Sequence, residues 1–590
     1  MKTTLRICII FIIIAFPVLF MGASFFSKYS WGIGADTLRA VRHPVDIPMR
    51  LSGTLGEIRG YSLHSGIDIK TEGRTGFPVR AVANGAVTRI IARENGYGNA
   101  VFLDHGGMQT VSAHLNAFED RRHYLDSLVA ILRLLYNIDS IDITFRGGAL
   151  SYSAGDIIAY TGESGAGLPH LHFEARNNGS FVNPMRLFPH GDSSPPVISA
   201  LYVCVEKDGA TISERMIGVK KRWGGYVTET PVIACGPGER LFFKIACHDT
   251  ENAHNSVAVY RITVRADALK IFDITFDSFT GSDLKYGAGV YDISKSTIDG
   301  VVAYTYFLCR RAGNGFSGID GAGSGYLIPG SDTQKITVDV LDYSGNTATL
   351  KFNISGTGAP SAAHGMTAIA SARKCTVSDS SGRCTVTTAP GSLIADSSIK
   401  IEHVNARDMK ATSGQDGLRD AVAALYAVRP FDTTYITPVA VSIAPPDGAD
   451  ITGMGMYHFF EGRKPKPLNA RYNPRSRRFE ASITTNGYVA LIRDTWPPEF
   501  TMPPTHEFME DSGMYTIIRV YAADSLSGVN APSIRCIFDG EPYPFRYDND
   551  RKWVEMAIPR AALPAGIHHI FIACPDNAGN TAIFRNLLKL

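Results

Sequence analysis

The sequence predicts a mainly β protein that folds into several domains. A chain of 590 residues exceeds the usual size of one domain and has room for about three to five. The 57 Gly and 31 Pro residues supply turns, and an aromatic content of 10% favours strands between them. Hydrophobic residues at 45% and charged residues at 19% are typical of a folded chain. Because the formal net charge is only +2, we expect no nucleic-acid partner.

Residues 1–28 predict either a signal peptide or an N-terminal membrane anchor. Lys2 and Arg6 precede an apolar run at 7–20, and no other charge occurs before Lys28. This order is typical of an export signal. The uncharged stretch is also long enough to cross a bilayer without being cleaved. We therefore expect an exported protein of the periplasm or cell envelope, released or attached to the membrane by this segment.

Residues 40–192 form the first predicted domain, which is rich in Gly and His and contains short runs of strand type. The segment 120–150 has a different pattern, because apolar residues recur in it at helical spacing: Tyr124, Leu125, Leu128, Val129, Leu132 and Leu135. We predict a helical insert here. A domain of this size offers a helix little core to cover, so we expect the helix to pack over one wall of a groove rather than to form part of the central sheet. Simple packing of the helix on the sheet is the alternative.

The chain after residue 190 alternates strands and turns. Two pairs of similar short motifs, which we call sequence echoes, divide it. Asp192-Ser-Ser-Pro-Pro resembles Asp494-Thr-Trp-Pro-Pro, and each is interpreted as the opening of a domain. Asp342-Tyr-Ser-Gly-Asn resembles Asp576-Asn-Ala-Gly-Asn, and each is interpreted as a hairpin turn near the end of a domain. These echoes predict immunoglobulin-like β-sandwiches at 193–355 and 493–590.

Residues 356–492 predict a further β-rich domain between the two sandwiches. The segment begins with a Gly- and Ser-rich stretch and then returns to the alternation of strands and turns. A short helical pattern occurs at 417–426, where we expect a helix packed beside the strands.

Eight cysteines follow Cys8, at positions 204, 235, 247, 309, 375, 384, 536 and 574. Export permits disulfides, and Cys375 and Cys384, which a short turn separates, form the best local pair. Buried free thiols within strands are the equally weighted alternative. No CxxC motif occurs, so the sequence supports neither a thiolate zinc site nor a redox pair.

Three histidine clusters in the first predicted domain could carry chemistry. They are His64-Ser-Gly-Ile-Asp68, then His114 in Ser-Ala-His-Leu, then His170-Leu-His172-Phe-Glu. On a strand His170 and His172 would project from the same face. Two imidazoles and one carboxylate are suitable zinc ligands that leave a fourth tetrahedral position for water, which is typical of a catalytic site. The alternative is a set of separate surface histidines that never meet.

The segments around these histidines resemble those of a known family. Gly56-Glu-Ile-Arg precedes the first cluster, Gly98-Asn-Ala-Val-Phe-Leu-Asp-His precedes the second, and Thr161-Gly-Glu-Ser-Gly leads into the third. Their order closely resembles that of the LytM/lysostaphin-type zinc metallopeptidases. The resemblance implies the fold called the duplicated hybrid motif and cleavage of peptide cross-links in bacterial cell wall. It covers about residues 40–190 and says nothing about the 400 residues that follow.

Carried over by position, the resemblance implies a role for each of five residues. His64, Asp68 and His172 would bind one Zn²⁺ per chain, and His114 and His170 would be catalytic histidines that do not bind metal. The chain departs from the family in the long segment 120–150 and in Ser112, where a tyrosine is common. Neither departure removes a catalytic group. His105 matches a common family histidine without an assigned role, and we expect it to be structural.

The function implied is that of an exported zinc metalloendopeptidase that hydrolyses peptidoglycan stem peptides. The β-sandwich domains would bind the substrate or position the enzyme on it, and an envelope protein is a possible partner of these domains. Three alternatives remain: a non-catalytic regulator of other wall hydrolases, a scaffold or adhesin, and a peptidase that acts on another exported protein. The complete set of five residues favours an active enzyme.

Overall fold

The computed structural model describes residues 41–589, except 147, 149, 166, 189–190, 251–255, 296, 299–300, 303, 322, 362–364, 409–420, 461–462, 503–508, 512–514, 550 and 561–562. The predicted signal peptide or anchor at 1–28 lies outside the described residues. Within the described part of the chain, no helix has the length and apolar character needed to cross a bilayer. Strands dominate the structure, which confirms the mainly β fold.

The first region consists of short strands and one helix. In chain order they are β1 (Leu51–Gly53), β2 (Ile58–Arg59), β3 (Ser62–Leu63), β4 (Ile67–Lys70), β5 (Pro78–Arg80), β6 (Gly85–Ala92), β7 (Ala100–Asp104), β8 (Met108–Ala113), β9 (Leu115–Phe118), α1 (Leu125–Tyr136), β10 (Ile141–Thr144), β11 (Ser151–Tyr152), β12 (Ile157–Thr161), β13 (His170–Asn177) and β14 (Ser180–Val182).

Most of these strands form one antiparallel sheet in the order β1-β4-β13-β8-β7-β6-β10, with β14 added to β13 and β11 to β6. Strands β5, β12 and β9 form a second sheet, and β2 and β3 form a hairpin. Apolar side chains that alternate along the strands share one buried core: Ile67, Ile69, Val101, Leu103, Leu171 and Phe173 are members. In the strand order, β13 lies inside the sheet, between β4 and β8.

The predicted helical insert contains both a helix and a strand. Helix α1 buries Leu125 and Val129, whereas Leu134 is 84% exposed. Strand β10 then pairs with β6 and becomes the last strand of the sheet, and the alternating Ile141 and Ile143 are buried in the core. The helix stays outside the central sheet, whereas the strand that follows it was not predicted. A four-residue alternating run is enough to add an edge strand, because it supplies both backbone pairing and buried apolar area.

The second region adds the strands β15 (Val197–Lys207), β16 (Ala210–Arg222), β17 (Gly225–Ala234), β18 (Arg240–His248), β19 (Arg261–Ala266), β20 (Leu269–Thr275), β21 (Ser278–Phe279), β22 (Thr297–Ile298), β23 (Val301–Val302), β24 (Tyr304–Phe307), β25 (Gln334–Leu341) and β26 (Thr347–Ser355), with the short helix α2 (Gly287–Val290) before β22. The long strands follow the order β20-β19-β25-β26-β17-β16-β15-β18-β24. Residues from both ends of this order share one core, among them Ile245, Ile262, Val338 and Leu350.

The first two regions pack into one compact unit, whose described part runs to residue 361 and lacks 208–210. Strand β14 pairs with β21, which places Phe181 opposite Phe279. Leu55 and Leu63 of the first region join the core of the second region. The Tyr291 hydroxyl donates to the Gly56 carbonyl oxygen at 2.9 Å. The domain boundary at residue 192 stays a prediction, and apolar packing continues across it.

The second compact unit contains residues 208–210 and the described residues from 365 onward. Its first part comprises β27 (Thr367–Ile369), β28 (Cys375–Ser378), β29 (Cys384–Thr388), β30 (Ser397–His403), β31 (Val422–Arg429), β32 (Thr434–Ile443), β33 (Met454–Phe459), β34 (Lys466–Pro467), β35 (Arg471–Asn473), β36 (Arg478–Thr485) and β37 (Gly487–Arg493). The sheets β27-β30-β31-β37-β33-β34 and β28-β29-β32-β36-β35 bury a common core.

Its last part comprises β38 (Glu499–Thr501), β39 (Met509–Asp511), β40 (Tyr515–Ala523), β41 (Arg535–Phe538), β42 (Glu541–Pro542), β43 (Arg546–Asp548), β44 (Trp553–Pro559), β45 (Ile567–Pro575) and β46 (Thr581–Lys589). The sheet β38-β40-β44-β43, with β39 on β40, shares a core with the sheet β42-β41-β45-β46. Both parts are thus pairs of sheets around one core. The immunoglobulin-like topology predicted for 193–355 and 493–590 stays a prediction.

Two local expectations in this unit are wrong. The predicted helix at 417–426 lies partly outside the described residues, and its described end belongs to strand β31, which pairs with β30 and β37. Two flanking strands and burial override the helix propensity of its Ala residues. Cys375 and Cys384 are not bonded to each other, because Cys375 lies opposite Thr388 in the hairpin.

Candidate active site

Strand β13 presents a stripe of polar side chains on one face of the main sheet. His170, His172, Glu174 and Arg176 occupy alternate positions, so they share a face, whereas the residues between them enter the core: Leu171, Phe173 and Ala175. The prediction that the two histidines project together from a strand agrees with this placement.

Two side chains from other parts of the domain converge on His172 of this stripe. Asp68 on β4 lies directly opposite His172 in the register of the sheet, and His64 follows strand β3. His64 Nε2 lies 3.0 Å from His172 Nδ1 and 3.1 Å from Asp68 Oδ1. His172 Nδ1 lies 3.0 Å from the same carboxylate oxygen. All three residues are buried, so distant parts of the sequence form one enclosed triangle of donor atoms.

The triangle fits a tetrahedral metal ion. Ligand atoms at about 2.0–2.1 Å from zinc lie about 3.3 Å apart in ideal tetrahedral geometry, which is close to the three measured separations. Imidazole nitrogen and carboxylate oxygen are ligand types that zinc accepts. Three protein ligands leave one coordination position open. His64, Asp68 and His172 could therefore hold a zinc ion of the catalytic type.

The outer nitrogens of the two imidazoles are fixed by acceptors. The Thr54 carbonyl oxygen lies 2.9 Å from His64 Nδ1, and Glu174 Oε1 lies 3.0 Å from His172 Nε2. Because these oxygens accept, each outer nitrogen can hold the ring proton, and the inner nitrogen can then offer its lone pair to a metal. The surrounding chain is thus compatible with the tautomer that a metal requires.

Glu174 is itself held in place by three donors. Ser65 Oγ donates at 2.5 Å, the Tyr97 hydroxyl at 2.7 Å and Arg176 Nε at 2.7 Å. Burial alone would raise the pKa of Glu174, but the hydrogen bond and charge of His172 and the charge of Arg176 outweigh it and lower the pKa to about 2. Glu174 therefore stays ionised and keeps accepting from His172.

Asp68 has a second partner outside the triangle. Arg59 Nη2 donates to Asp68 Oδ2 at 2.6 Å, while Nη1 of the same guanidinium pairs with buried Glu57. This pairing occupies one carboxylate oxygen and leaves Oδ1 directed at the two histidines. Burial would raise the pKa of Asp68, but the charges and hydrogen bonds of His64 and His172 hold it well below the usual range.

His114 and His170 lie beside the triangle, with ring centroids 4.6 Å apart. Each ring donates through Nδ1 to a backbone carbonyl: His114 to Ser164 at 2.8 Å and His170 to Leu168 at 2.7 Å. His170 Nε2 is then 3.6 Å from Asp68 Oδ1. Both Nε2 atoms are left as the nitrogens that can accept a proton.

The environment keeps both of these rings neutral at pH 7. Burial, together with the neighbouring His170 and His172, lowers the pKa of His114 to about 4, and burial also lowers the pKa of His170. His114 has φ +60°, a left-handed backbone that residues other than glycine adopt only under constraint. Such strain occurs preferentially at functional sites, where the surrounding fold enforces it.

The structure brings all five sequence-predicted site residues together. His105 lies elsewhere, buried between the Asn84 carbonyl oxygen at 3.0 Å and Thr110 Oγ1 at 2.9 Å, as a structural histidine would. Sequence reasoning missed the supporting residues Glu174, Arg176, Tyr97 and Arg59. The period of two along β13 could have identified the first two, whereas Tyr97 is placed by a contact remote in sequence.

Comparison with known proteins identifies this region. Residues 62–123 match Peptidase family M23. The chain is 36% identical over 127 residues to DD-carboxypeptidase/endopeptidase Mpg of Neisseria meningitidis serogroup B, covering 21% of this chain and 23% of that protein. It is 32% identical over 149 residues to an uncharacterized metalloprotease of Haemophilus influenzae, 25% of each chain. The match spans about a quarter of the length of these relatives. The predicted resemblance is confirmed, and the chain contains an M23 domain.

Solved structures match part of the chain. Csd3 of Helicobacter pylori is 22% identical, with a TM-score of 0.19 over 26% of this chain and 35% of that one. Lysostaphin is 15% identical, with a TM-score of 0.17 over 35% of this chain and 84% of that one. Both matches leave most of this chain uncovered.

Proposed function

Starting from the M23 domain, we propose that this protein is a zinc metalloendopeptidase that hydrolyses peptide cross-links of bacterial peptidoglycan. The observation that carries the proposal is the triangle of His64, Asp68 and His172, with two neutral histidines beside it. A curated relative named as a carboxypeptidase and endopeptidase supports the substrate class. Residues 1–28 would export the protein or anchor it in the cell envelope, where that substrate lies.

His64, Asp68 and His172 would hold the zinc ion. A zinc ion held there supplies Lewis acidity, which makes water a stronger nucleophile at neutral pH and polarises a peptide carbonyl. Thr54 and Glu174 fix the two imidazoles by accepting from their outer nitrogens, and Arg59 fixes Asp68. These contacts limit ligand motion, so the site is preorganised before substrate binds.

His114 and His170 would move the protons of the reaction. His114 Nε2 would accept the proton of the attacking water, because Nδ1 is committed to Ser164 and the ring is neutral. His170 would take up a proton from solvent at Nε2, because its Nδ1 proton is committed to the Leu168 carbonyl, and would then donate a hydrogen bond to the developing oxyanion or that proton to the leaving amine. Glu174 is bound to His172 and Arg176 and so serves as an orienting group.

The β-rich regions after residue 192 would bind or position the enzyme on its polymeric substrate or on an envelope protein. Apolar packing between the first two regions supports a fixed orientation for the M23 domain relative to the second region. A polymeric substrate favours such an arrangement, because positioning raises the effective concentration of the cleavable bonds.

The direct test is mass analysis of fragments that the purified, zinc-loaded protein releases from peptidoglycan. We expect cross-linked peptides to be converted to shorter ones by addition of water, and His170→Ala to abolish the conversion. His569→Ala, which removes an exposed histidine of the C-terminal region, is the matched control and should act like the wild type. Peptidoglycan left intact by zinc-loaded wild-type protein would refute the proposal.

A further inference from the structure

Three aspartates gather in the last part of the chain, far in sequence from the M23 domain. Asp494 follows strand β37, Asp524 follows β40 and Asp576 follows β45. One carboxylate oxygen from each lies within 4.8 Å of the others. Asp494 is 2% exposed and Asp576 is 1% exposed. Three strand ends thus bring three carboxylates to one enclosed point.

The negative charge of this cluster is not balanced by a basic side chain. Among the described residues, no Lys, Arg or His forms an ion pair with Asp494, Asp524 or Asp576. Asp494 and Asp576 are buried, and Asp524 is partly exposed. Carboxylates this close repel one another strongly, so the arrangement calls for a cation.

Two further oxygens of the same loop are enclosed without a hydrogen-bond partner among the described residues: Asp524 Oδ1 and Ser527 Oγ. Ser527 is 8% exposed. Its amide donates to Asp494 Oδ2 at 3.0 Å, and the amides on either side of it, from Leu526 and Gly528, donate to Asp524 Oδ2 at 2.9 and 2.7 Å. Ser527 therefore lies between two of the carboxylates, and its hydroxyl adds a neutral oxygen to the cluster.

The same arrangement occurs a second time in the chain. Asp192 precedes β15, Asp249 follows β18 and Asp342 follows β25, again within 4.8 Å of one another. Asn346 donates to both oxygens of Asp342 and to the Asp192 carbonyl, and Asn580 makes the three equivalent bonds to Asp576 and Asp494. Two aspartates of each group are thus held by an asparagine in the same way.

We propose that Asp494, Asp524, Asp576 and Ser527 form a Ca²⁺ site. An oxygen-only set of hard ligands with irregular spacing suits Ca²⁺, which accepts six to eight oxygens at about 2.3–2.6 Å. Mg²⁺ dehydrates reluctantly and demands a regular octahedron, so it suits this enclosed cluster less.

The ion would fix the point where the chain enters the C-terminal β-region. Asp494 lies in the connection from β37 to β38. An ion shared between this connection and two strand ends stabilises the folded domain, because the unfolded chain cannot present the three carboxylates together. We assign the site this structural role, which is independent of the peptidase proposal.

Terbium luminescence tests the C-terminal site in the full-length, zinc-loaded protein. The Trp496 amide donates to Asp494 Oδ1 at 3.1 Å, so its indole is close enough to sensitise Tb³⁺ bound at the cluster. We expect tryptophan-sensitised emission that Ca²⁺ abolishes and equal Mg²⁺ does not. Trp496→Phe should lose most of the emission yet keep Ca²⁺ binding by equilibrium dialysis. Emission displaced equally well by Mg²⁺ would overturn the assignment to calcium.

Stoichiometry gives a second test. Equilibrium dialysis of the wild type should give one Ca²⁺ per chain, and Asp524→Asn should give none. Asp447→Asn, which alters an exposed aspartate, should still give one. Ser527→Ala, a milder change that preserves the carboxylates, should weaken binding at the C-terminal site several-fold even if Asp524→Asn fails to fold. Absence of bound calcium at millimolar concentration, or unchanged binding in Ser527→Ala and Asp524→Asn, would overturn the proposal.

Discussion

The M23 domain and the C-terminal β-region each gather buried metal-type ligands, but with different chemistry. In the M23 domain, two imidazoles and one carboxylate converge with about 3 Å between donor atoms, and two more histidines stand beside them. In the C-terminal region, three carboxylates converge with no histidine among them. The first arrangement suits a zinc ion and proton transfer, and the second suits a hard cation with a structural role.

The groups that hydrogen-bond to the ligands also differ between the two clusters. The imidazoles of the M23 domain are oriented by a carbonyl oxygen and by Glu174, whereas the aspartates of the C-terminal region accept from backbone amides and from Asn580. Acceptors behind the imidazoles make them stronger ligands. Amide donors behind the carboxylates hold their positions but reduce their charge density. Ligand identity and support together therefore distinguish a reaction centre from a structural cation site.

The largest expected effect follows from removing a ligand of the M23 triangle. His64→Ala should lose zinc and essentially all hydrolysis, because three ligands leave no redundancy. The loss should exceed the about 10–100-fold decrease typical of residues that merely support a ligand. Plasma emission analysis of the dialysed protein measures the zinc. Full zinc content in His64→Ala would place the metal elsewhere, and calcium binding should be unchanged in this variant.

A large loss of rate without loss of metal is expected for His114→Ala. Its Nε2 is proposed to accept a proton, and proton transfer of this kind contributes about 10²–10⁴-fold to a rate. The variant should keep one zinc per chain, and kcat should fall by about that factor. A kcat within a few-fold of the wild type would remove His114 from the mechanism.

A smaller effect is expected for Glu174→Gln. The amide retains the shape of the side chain but not its charge, so His172 loses an ionised acceptor. Zinc affinity should fall by about 10–100-fold. Competition with a fluorescent zinc chelator measures the affinity. Glu163→Gln, a half-exposed glutamate of the same region, is the control and should match the wild type. Equal affinities in the two variants would contradict the role given to Glu174.

The smallest effect is expected at the C-terminal cluster. Asn580→Ala removes the side-chain bonds to Asp576 and to the Asp494 carbonyl, each 3.2 Å or shorter. The unfolding free energy should fall by about 1–3 kcal/mol, because each hydrogen bond contributes about 0.5–1.5 kcal/mol. Denaturant unfolding followed by tryptophan fluorescence measures it. Peptide hydrolysis should be unaffected, and a loss of hydrolysis in this variant would link two regions that we treat as independent.

The sequence predicted the catalytic-type cluster more completely than the acidic one. His170 and His172 share a face by the period of a strand, and family motifs supply His64, Asp68 and His114. Their supports depend on contacts such as Tyr97 to Glu174, which join residues 77 positions apart and have no local pattern. Backbone carbonyls, such as that of Ser164 beside His114, carry no sequence signal at all.

Two aspartates of each acidic cluster were present in the sequence echoes, but the echoes were interpreted as domain openings and hairpin turns. Asp494 and Asp576 stand in those echoes, and the tight turn at Asp576 is real, since the Asn580 amide bonds to it. Asp524 stands outside both echoes and joins the cluster only because β40 ends beside β45. Likewise, the strand at β10 and the strand at β31 were missed because pairing with distant strands decided their structure.

Zinc content of two matched variants, His172→Ala and His170→Ala, tests the central claim most directly. The two residues are neighbours on one face of strand β13, yet His172 is proposed to bind the metal and His170 to act on protons. After dialysis, His172→Ala should hold less than a tenth of the wild-type zinc, and His170→Ala should hold one ion per chain while failing to cleave peptidoglycan peptides. A zinc-depleted His170→Ala, or a zinc-replete His172→Ala, would contradict the account.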